Sequence, residues 1–200
     1  MLKINFNFDH KKAAQALNYF ANKNGGKINK LKALKLIYFA DRYHLRKYGR
    51  LITNDIYFAM QLGPVASSTK DIVEGSEFLD TSEKEYAKCY FSLKPKYLLV
   101  SNKPVDLDVF SDSDIEALNF AWERFGHIEK FKLADLTHKY PEWKRTEKSL
   151  RLSPRIQMDL LDFFDDPTEG IEKCFTLTRK DRESLKEHVK ETYYLESLWR

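Results

Sequence analysis

The chain has 200 residues, 42% of them hydrophobic, 14% aromatic and 32% charged, with 7 Gly and 6 Pro; this supports one substantial, helix-rich core and argues against a disordered or fibrous chain. Net charge is +4, yet Met1–Arg50 holds twelve Lys/Arg against only Asp9 and Asp41, a balance of +10, while the rest carries −6. Such polarity points to a basic surface whose counterpart is a nucleic acid, an acidic protein or the chain's own later half. No apolar run approaches the ~20 residues that span a bilayer, and the first residues lack signal- or transit-peptide patterning, so a cytoplasmic protein with no membrane partner is expected. Two cysteines, Cys89 and Cys174, lie far apart and outside any CxxC pair; they read as packing residues, not as a disulfide or zinc site.

Asp9 caps a helix running to about Lys23, with Ala13, Ala16, Leu17 and Phe20 on one face, and Asn24-Gly25-Gly26 stops it. Asn29 caps the next, Lys30 to Lys47, closed by Gly49. Leu31, Leu34, Ile37, Tyr38 and Leu45 form one apolar arc of that helix, and Leu36, Phe39, Ala40 and Tyr43 form another. Two such arcs predict a central helix buried on two sides, with only Lys35, Arg42 and Arg46 facing water. Ile56 to Gln61 alternates as a strand, Gly63-Pro64 breaks it, and Pro64 suits the first position of a helix reaching Glu74. Ala87–Leu93 and Tyr97–Val100, separated by Lys94-Pro95-Lys96, read as a hairpin. Ser111 or Ser113, with Asp114 or Glu116 three residues on, opens a helix to Phe125, ended by Gly126. Lys132–Tyr140 reads as a helix cut by Pro141, and Ser153-Pro154 as the start of another carrying Ile156, Leu160, Leu161 and Phe164. A short strand around Phe175–Leu177 and a charged helix capped by Thr178, with Asp181 in the box position, complete the chain. The fold class expected is α+β, mainly helical: a compact helical domain over 1–166 with a small antiparallel sheet or hairpin, and an extension over 167–200.

No nucleophile elbow, phosphate loop, dinucleotide fingerprint or HExxH motif occurs, and the five histidines are scattered singly. Nothing therefore gives a reaction a mechanism, and no catalytic residue, metal or cofactor is assigned. Asp41 sits inside the first apolar arc, three residues before His44. A carboxylate there needs partners, so it is read as an anchor for a neighbouring loop, or as part of a polar binding site with His44. Lys35, Phe39, Arg42 and Arg46 make a stripe that either meets nucleic acid or is simply the wet edge of a helix. Gly63-Pro64-Val65 is a structural turn in preference to an anion site. Thr137 and His138, followed by Trp143, form either a recognition patch or a lid on the core.

Three blocks in order resemble the Panacea family, the SocA-like antitoxin domain also found in phage-associated GepA-like bacterial proteins. They are Lys35-Leu36-Ile37-Tyr38-Phe39-Ala40-Asp41 with His44-Leu45 and Gly49-Arg50; Gln61-Leu62-Gly63-Pro64-Val65; and Leu133 to Trp143. Leu62 stands where the family usually has an aromatic residue, and Glu142 separates Pro141 from Trp143. The resemblance implies the antitoxin of a toxin-antitoxin pair: a mainly helical domain that neutralises a protein toxin from an adjacent gene by direct contact. Tyr43, His44, Tyr57, Gln61, Thr137, His138 and Trp143 are the expected partner-binding residues, with Asp41, Gly63 and Pro64 as structural anchors. Two alternatives remain open: a nucleic-acid-binding protein using the Lys35/Arg42/Arg46 stripe, and an adaptor that delivers its partner to a protease. An enzyme with a composite site at Asp41 and His44 is the third reading, and it requires a pocket joining the two.

Overall fold

The computed structural model describes residues 7–167 and 176–198. Helix α1, His10–Lys23, starts where Asp9 accepts from the Lys12 amide at 3.0 Å. Gly25 and Gly26, both at positive φ, then turn the chain into β1, Lys27–Asn29. Asn29 caps α2, Lys30–Tyr48, by accepting from the Leu31 amide, and Gly49 ends it in the left-handed conformation. Both expected apolar arcs of α2 are buried except at Leu31 and Tyr43, which are partly exposed. Its widest neighbour is α5, Asp112–Phe125, opened by the Ser111–Asp114 capping box. Phe39 stacks on Phe125 and Tyr43 on Phe120, with ring centroids 3.9 and 4.1 Å apart, so aromatic burial supplies much of the hold between these helices.

Two small antiparallel sheets flank this helical core. In one, β2 (Tyr57–Met60) lies between β3 (Gly63–Ala66) and β6 (Arg155–Gln157). In the other, β5 (Leu98–Ser101) lies between β1 and β4 (Phe91–Lys94). Pro64 therefore belongs to a strand and not to a helix start. β3 is a sheet edge, where a residue without an amide hydrogen is tolerated, and α3 begins only at Ser67 and runs to Glu74. Its first amides are capped from afar, since Asp55 accepts from the amides of Ser68 and Thr69 at 2.9 and 2.6 Å.

Three other expectations are corrected. Residues 87–90 belong to α4, Thr81–Tyr90, because an Asp80–Glu83 capping box nucleates a helix that local β propensity does not reveal. Cys89 is exposed on it, not packed inside. The segment after Ser153-Pro154 makes β6 and then a 3-10 turn, Leu160–Phe164, instead of one helix: pairing with β2 outweighs the helical spacing.

Helix α6 spans Lys130–Thr137, and Pro141 opens α7, Pro141–Lys144. α8, Arg179–Leu198, is capped by Thr178 through the Asp181 amide and lies against the body. Val189 is fully buried, the His188 ring leaves no space for a side chain at Gly49, and Lys186 and Arg182 pair with Asp165 and Asp166. Of the expected strand around Phe175–Leu177, Phe175 lies outside the described residues, as do Gly170 and Cys174, while Thr176 and Leu177 are not in a strand. Among the described residues no helix is long and apolar enough to cross a membrane.

Candidate functional site

The middle of α2 is a sealed polar interior. Asp41 is fully buried and accepts from the Ile52 amide at 2.7 Å, the Thr53 hydroxyl at 2.9 Å and the Tyr57 hydroxyl at 2.8 Å. Burial pushes its carboxyl up to about 6 despite these donors, because no cation among the described residues pairs with it to offset the loss of water. His44, also fully buried, does not meet Asp41: Nδ1 donates to the Arg50 carbonyl at 2.8 Å and Nε2 lies 3.0 Å from the Ser113 hydroxyl. The neighbouring carbonyl selects the Nδ1–H tautomer, and burial lowers the imidazole's pKa. Both side chains are sealed in the core and turned to different partners, so the composite catalytic pair is not assembled.

The basic stripe is corrected too, since Lys35 and Arg46 are fully buried and Arg42 nearly so. Arg42 donates through Nε to Glu142 Oε1 at 2.7 Å, donates to the Asp165 carbonyl at 2.7 Å, and lies over the Tyr140 ring. The Tyr38 hydroxyl donates to the same Glu142 oxygen. Arg46 donates to the carbonyls of Phe163 and Phe164 and pairs with Asp166. These partners lie about a hundred residues away in sequence, beyond the reach of any helical wheel. With Lys12 and Arg50 on Asp114 and Lys47 on Glu116, they also show that much of the N-terminal positive charge meets the chain's own later acids.

Nearer the start of α2 the polar groups converge on Gly63. Its φ is +96°, and a Cβ there would overlap the Thr137 hydroxyl and sit 3.1 Å from Lys35 Nζ, so both conformation and space demand glycine. Lys35 donates to the Pro64 carbonyl at 2.5 Å, and burial lowers its ammonium to about 7. Thr137 donates to the Ala134 carbonyl, and the half-buried His138 ring stacks on Trp143 with centroids 3.9 Å apart. Trp143 in turn donates through Nε1 to the Met60 carbonyl at 3.0 Å, tying α7 to β2.

Trp143 also looks outward, into a groove of about 1030 Å³ over the N-terminal end of α2. Leu31 and Leu34 of α2, Met60 and Leu62 around the β2–β3 turn, Phe131 of α6 and Tyr97 of the β4–β5 hairpin line it. Leu62, Tyr97 and Phe131 are 48%, 64% and 54% exposed. A concave surface with this much uncovered apolar and aromatic area is what a macromolecular partner covers on binding.

Of the residues expected to bind a partner, Gln61 and Trp143 line this groove. His138 stacks on Trp143, and Thr137 is buried against Gly63. Tyr57 is in the core on Asp41, and Tyr43 and His44 face α5 and the 111–114 segment, away from the groove residues. Leu62, Phe131 and Tyr97 escaped sequence reading; the available signal was a large apolar residue isolated among polar neighbours at a turn or helix start, as in Lys130-Phe131-Lys132.

A family model described as "Antitoxin SocA-like, Panacea domain" matches residues 34–144. That span runs from the middle of the groove floor through the Asp41 and Arg42 interior and Gly63 to Trp143. No curated protein and no solved structure matches the chain.

Proposed function

The chain belongs to the SocA-like antitoxin family with a Panacea domain, and from that premise we propose that it neutralises a protein toxin, encoded by a neighbouring gene, by direct and stoichiometric contact over the groove face. The observation that carries this reading is the groove itself: Trp143 in its wall, with Leu62, Tyr97 and Phe131 left exposed around it. Interface energy concentrates in aromatic side chains such as these once a partner excludes water from them, with the apolar residues around them helping to keep water out. The three cations considered for nucleic acid are inside the fold, with carbonyl and carboxylate partners, which favours a protein counterpart.

Coexpression with the product of the neighbouring gene tests the proposal. That product is expected to arrest growth alone, to be harmless with this chain, and to become toxic again once it exceeds the chain in molar amount, as binding requires and catalysis does not. A harmless neighbour, or toxicity undiminished by excess chain, overturns it.

A further inference from the structure

We propose that the groove receives an apolar segment of the partner whose flank carries acidic residues; this rests on the antitoxin reading and names the chemistry of the surface it binds. The walls supply the apolar half of the match, and the charge supplies the other half. Four cations line the groove, Lys30, Lys70, Lys130 and Arg151, against two carboxylates, Glu74 and Glu147. Glu74 is held between Lys30 at 2.5 Å and Lys70 at 2.7 Å. Lys130 lies over the Phe131 ring, and neither it nor Arg151 has an ion pair among the described residues. The first turn of α2, which opens into the same groove, contains no acid, so its dipole adds to the positive potential. An acidic flank is therefore drawn in and held, and a basic one repelled.

Tyr97 is an independent pointer to an occupant. Lys96 and Tyr97 both have left-handed backbones, with φ of 63° and 58°, a conformation that a bulky side chain rarely adopts. The Tyr97 ring nevertheless stands in water at the groove, with Lys30 Nζ 4.6 Å from its centre. Backbone strain that holds an aromatic ring outside the fold contributes nothing to the core and fits a ring that a partner covers. Nucleic acid is the weaker match, because two unpaired cations neutralise little of a phosphate backbone and the groove floor is aliphatic. A second copy is the weaker match as well, because it repeats the same net positive charge of +4.

The test uses the full chain and the neighbouring toxin, with affinity measured by calorimetry and the toxin surface mapped by hydrogen exchange. Lys130→Glu with Arg151→Glu is expected to weaken binding about tenfold or more, as is Phe131→Ser. Tyr97→Asn, which relieves the backbone, is expected to weaken binding without lowering the melting temperature. The protected toxin segment should combine apolar and acidic residues. Tighter binding after charge reversal, protection of a basic segment, or undiminished binding by the Phe131 and Tyr97 variants overturns the inference while leaving the antitoxin reading in place. So does a dimer of this chain, or an RNA complex, that is lost with the same groove variants. Failure of the unaltered chain to neutralise the toxin overturns both.

Discussion

Within a single helix, α2, the C-terminal half and the N-terminal end meet opposite conditions. From Tyr38 to Arg46 the buried polar groups are met from within: Asp41 by the 52–57 loop, Arg42 by Glu142, Arg46 by the 163–166 carbonyls and carboxylate. From Lys30 to Leu34 the same helix borders a groove around which Leu62, Tyr97 and Phe131 stay exposed. Buried charges are costly unless partnered, and exposed apolar clusters are costly until they are covered. The first region is thus where stability is concentrated, and the second is where a partner has most to add. Substitutions in the two should separate folding from neutralisation.

The largest effect is expected at Glu142. Glu142→Ala leaves the Arg42 guanidinium buried without its carboxylate and the Tyr38 hydroxyl without an acceptor, at a loss of about 3–5 kcal/mol of folding stability, read from denaturant unfolding. Asp41→Ala frees the Ile52 amide and the hydroxyls of Thr53 and Tyr57 at once, a loss of about 3 kcal/mol. Near-native unfolding midpoints for either variant would show that the interior is not what holds the fold.

Lys35 sits between the two regions, and its signature is pH dependence. Burial lowers its ammonium from 10.5 to about 7, so between those values the folded chain binds fewer protons than the unfolded chain. Its contribution to stability is fully present above pH 10.5 and is lost as pH falls through 7. Lys35→Met should remove that slope, and at pH 7 should change stability by only about 1 kcal/mol, since relief of the buried amine offsets the orphaned Pro64 carbonyl. Parallel melting curves for both proteins from pH 7 to 10 would contradict it.

The parts of this architecture legible in sequence were those fixed within one turn of chain. Asp9, Asn29 and Ser111 cap the helices where side chain and spacing placed them, and the two arcs of α2 identified the central helix. Asp41 was readable as a loop anchor because a carboxylate among leucines has few other fates. The burial of Lys35, Arg42 and Arg46 was not, because each depends on an acceptor brought by tertiary folding from Pro64, Glu142 or the 163–166 turn. The strand identity of Gly63–Ala66 depended likewise on pairing with β2. Trp143, which the sequence offers either as part of a recognition patch or as a lid on the core, spans both regions: its indole nitrogen holds Met60 while its ring borders the groove. Its truncation therefore confounds stability with binding.

Leu62 separates them. It occupies the tip of the β2–β3 turn, 48% exposed, just before the glycine that Thr137 and Lys35 crowd, and it makes no backbone or polar contribution that serine would lose. Leu62→Ser should shift unfolding stability by no more than about 0.5 kcal/mol, because a half-exposed side chain at a turn leaves no cavity. Affinity for the toxin should nevertheless fall about tenfold, since the lost methyl groups are among those a partner would desolvate. Measured beside Asp41→Ala, it gives a double dissociation: one variant impaired in folding and, where folded, still able to bind, the other folded and impaired in binding. If Leu62→Ser binds as tightly as the unaltered chain, the groove wall is not the contact. A stability loss approaching that of Asp41→Ala would show that the turn tip belongs to the interior after all, and the division of α2 into a holding half and a binding end would have to be redrawn around Gly63.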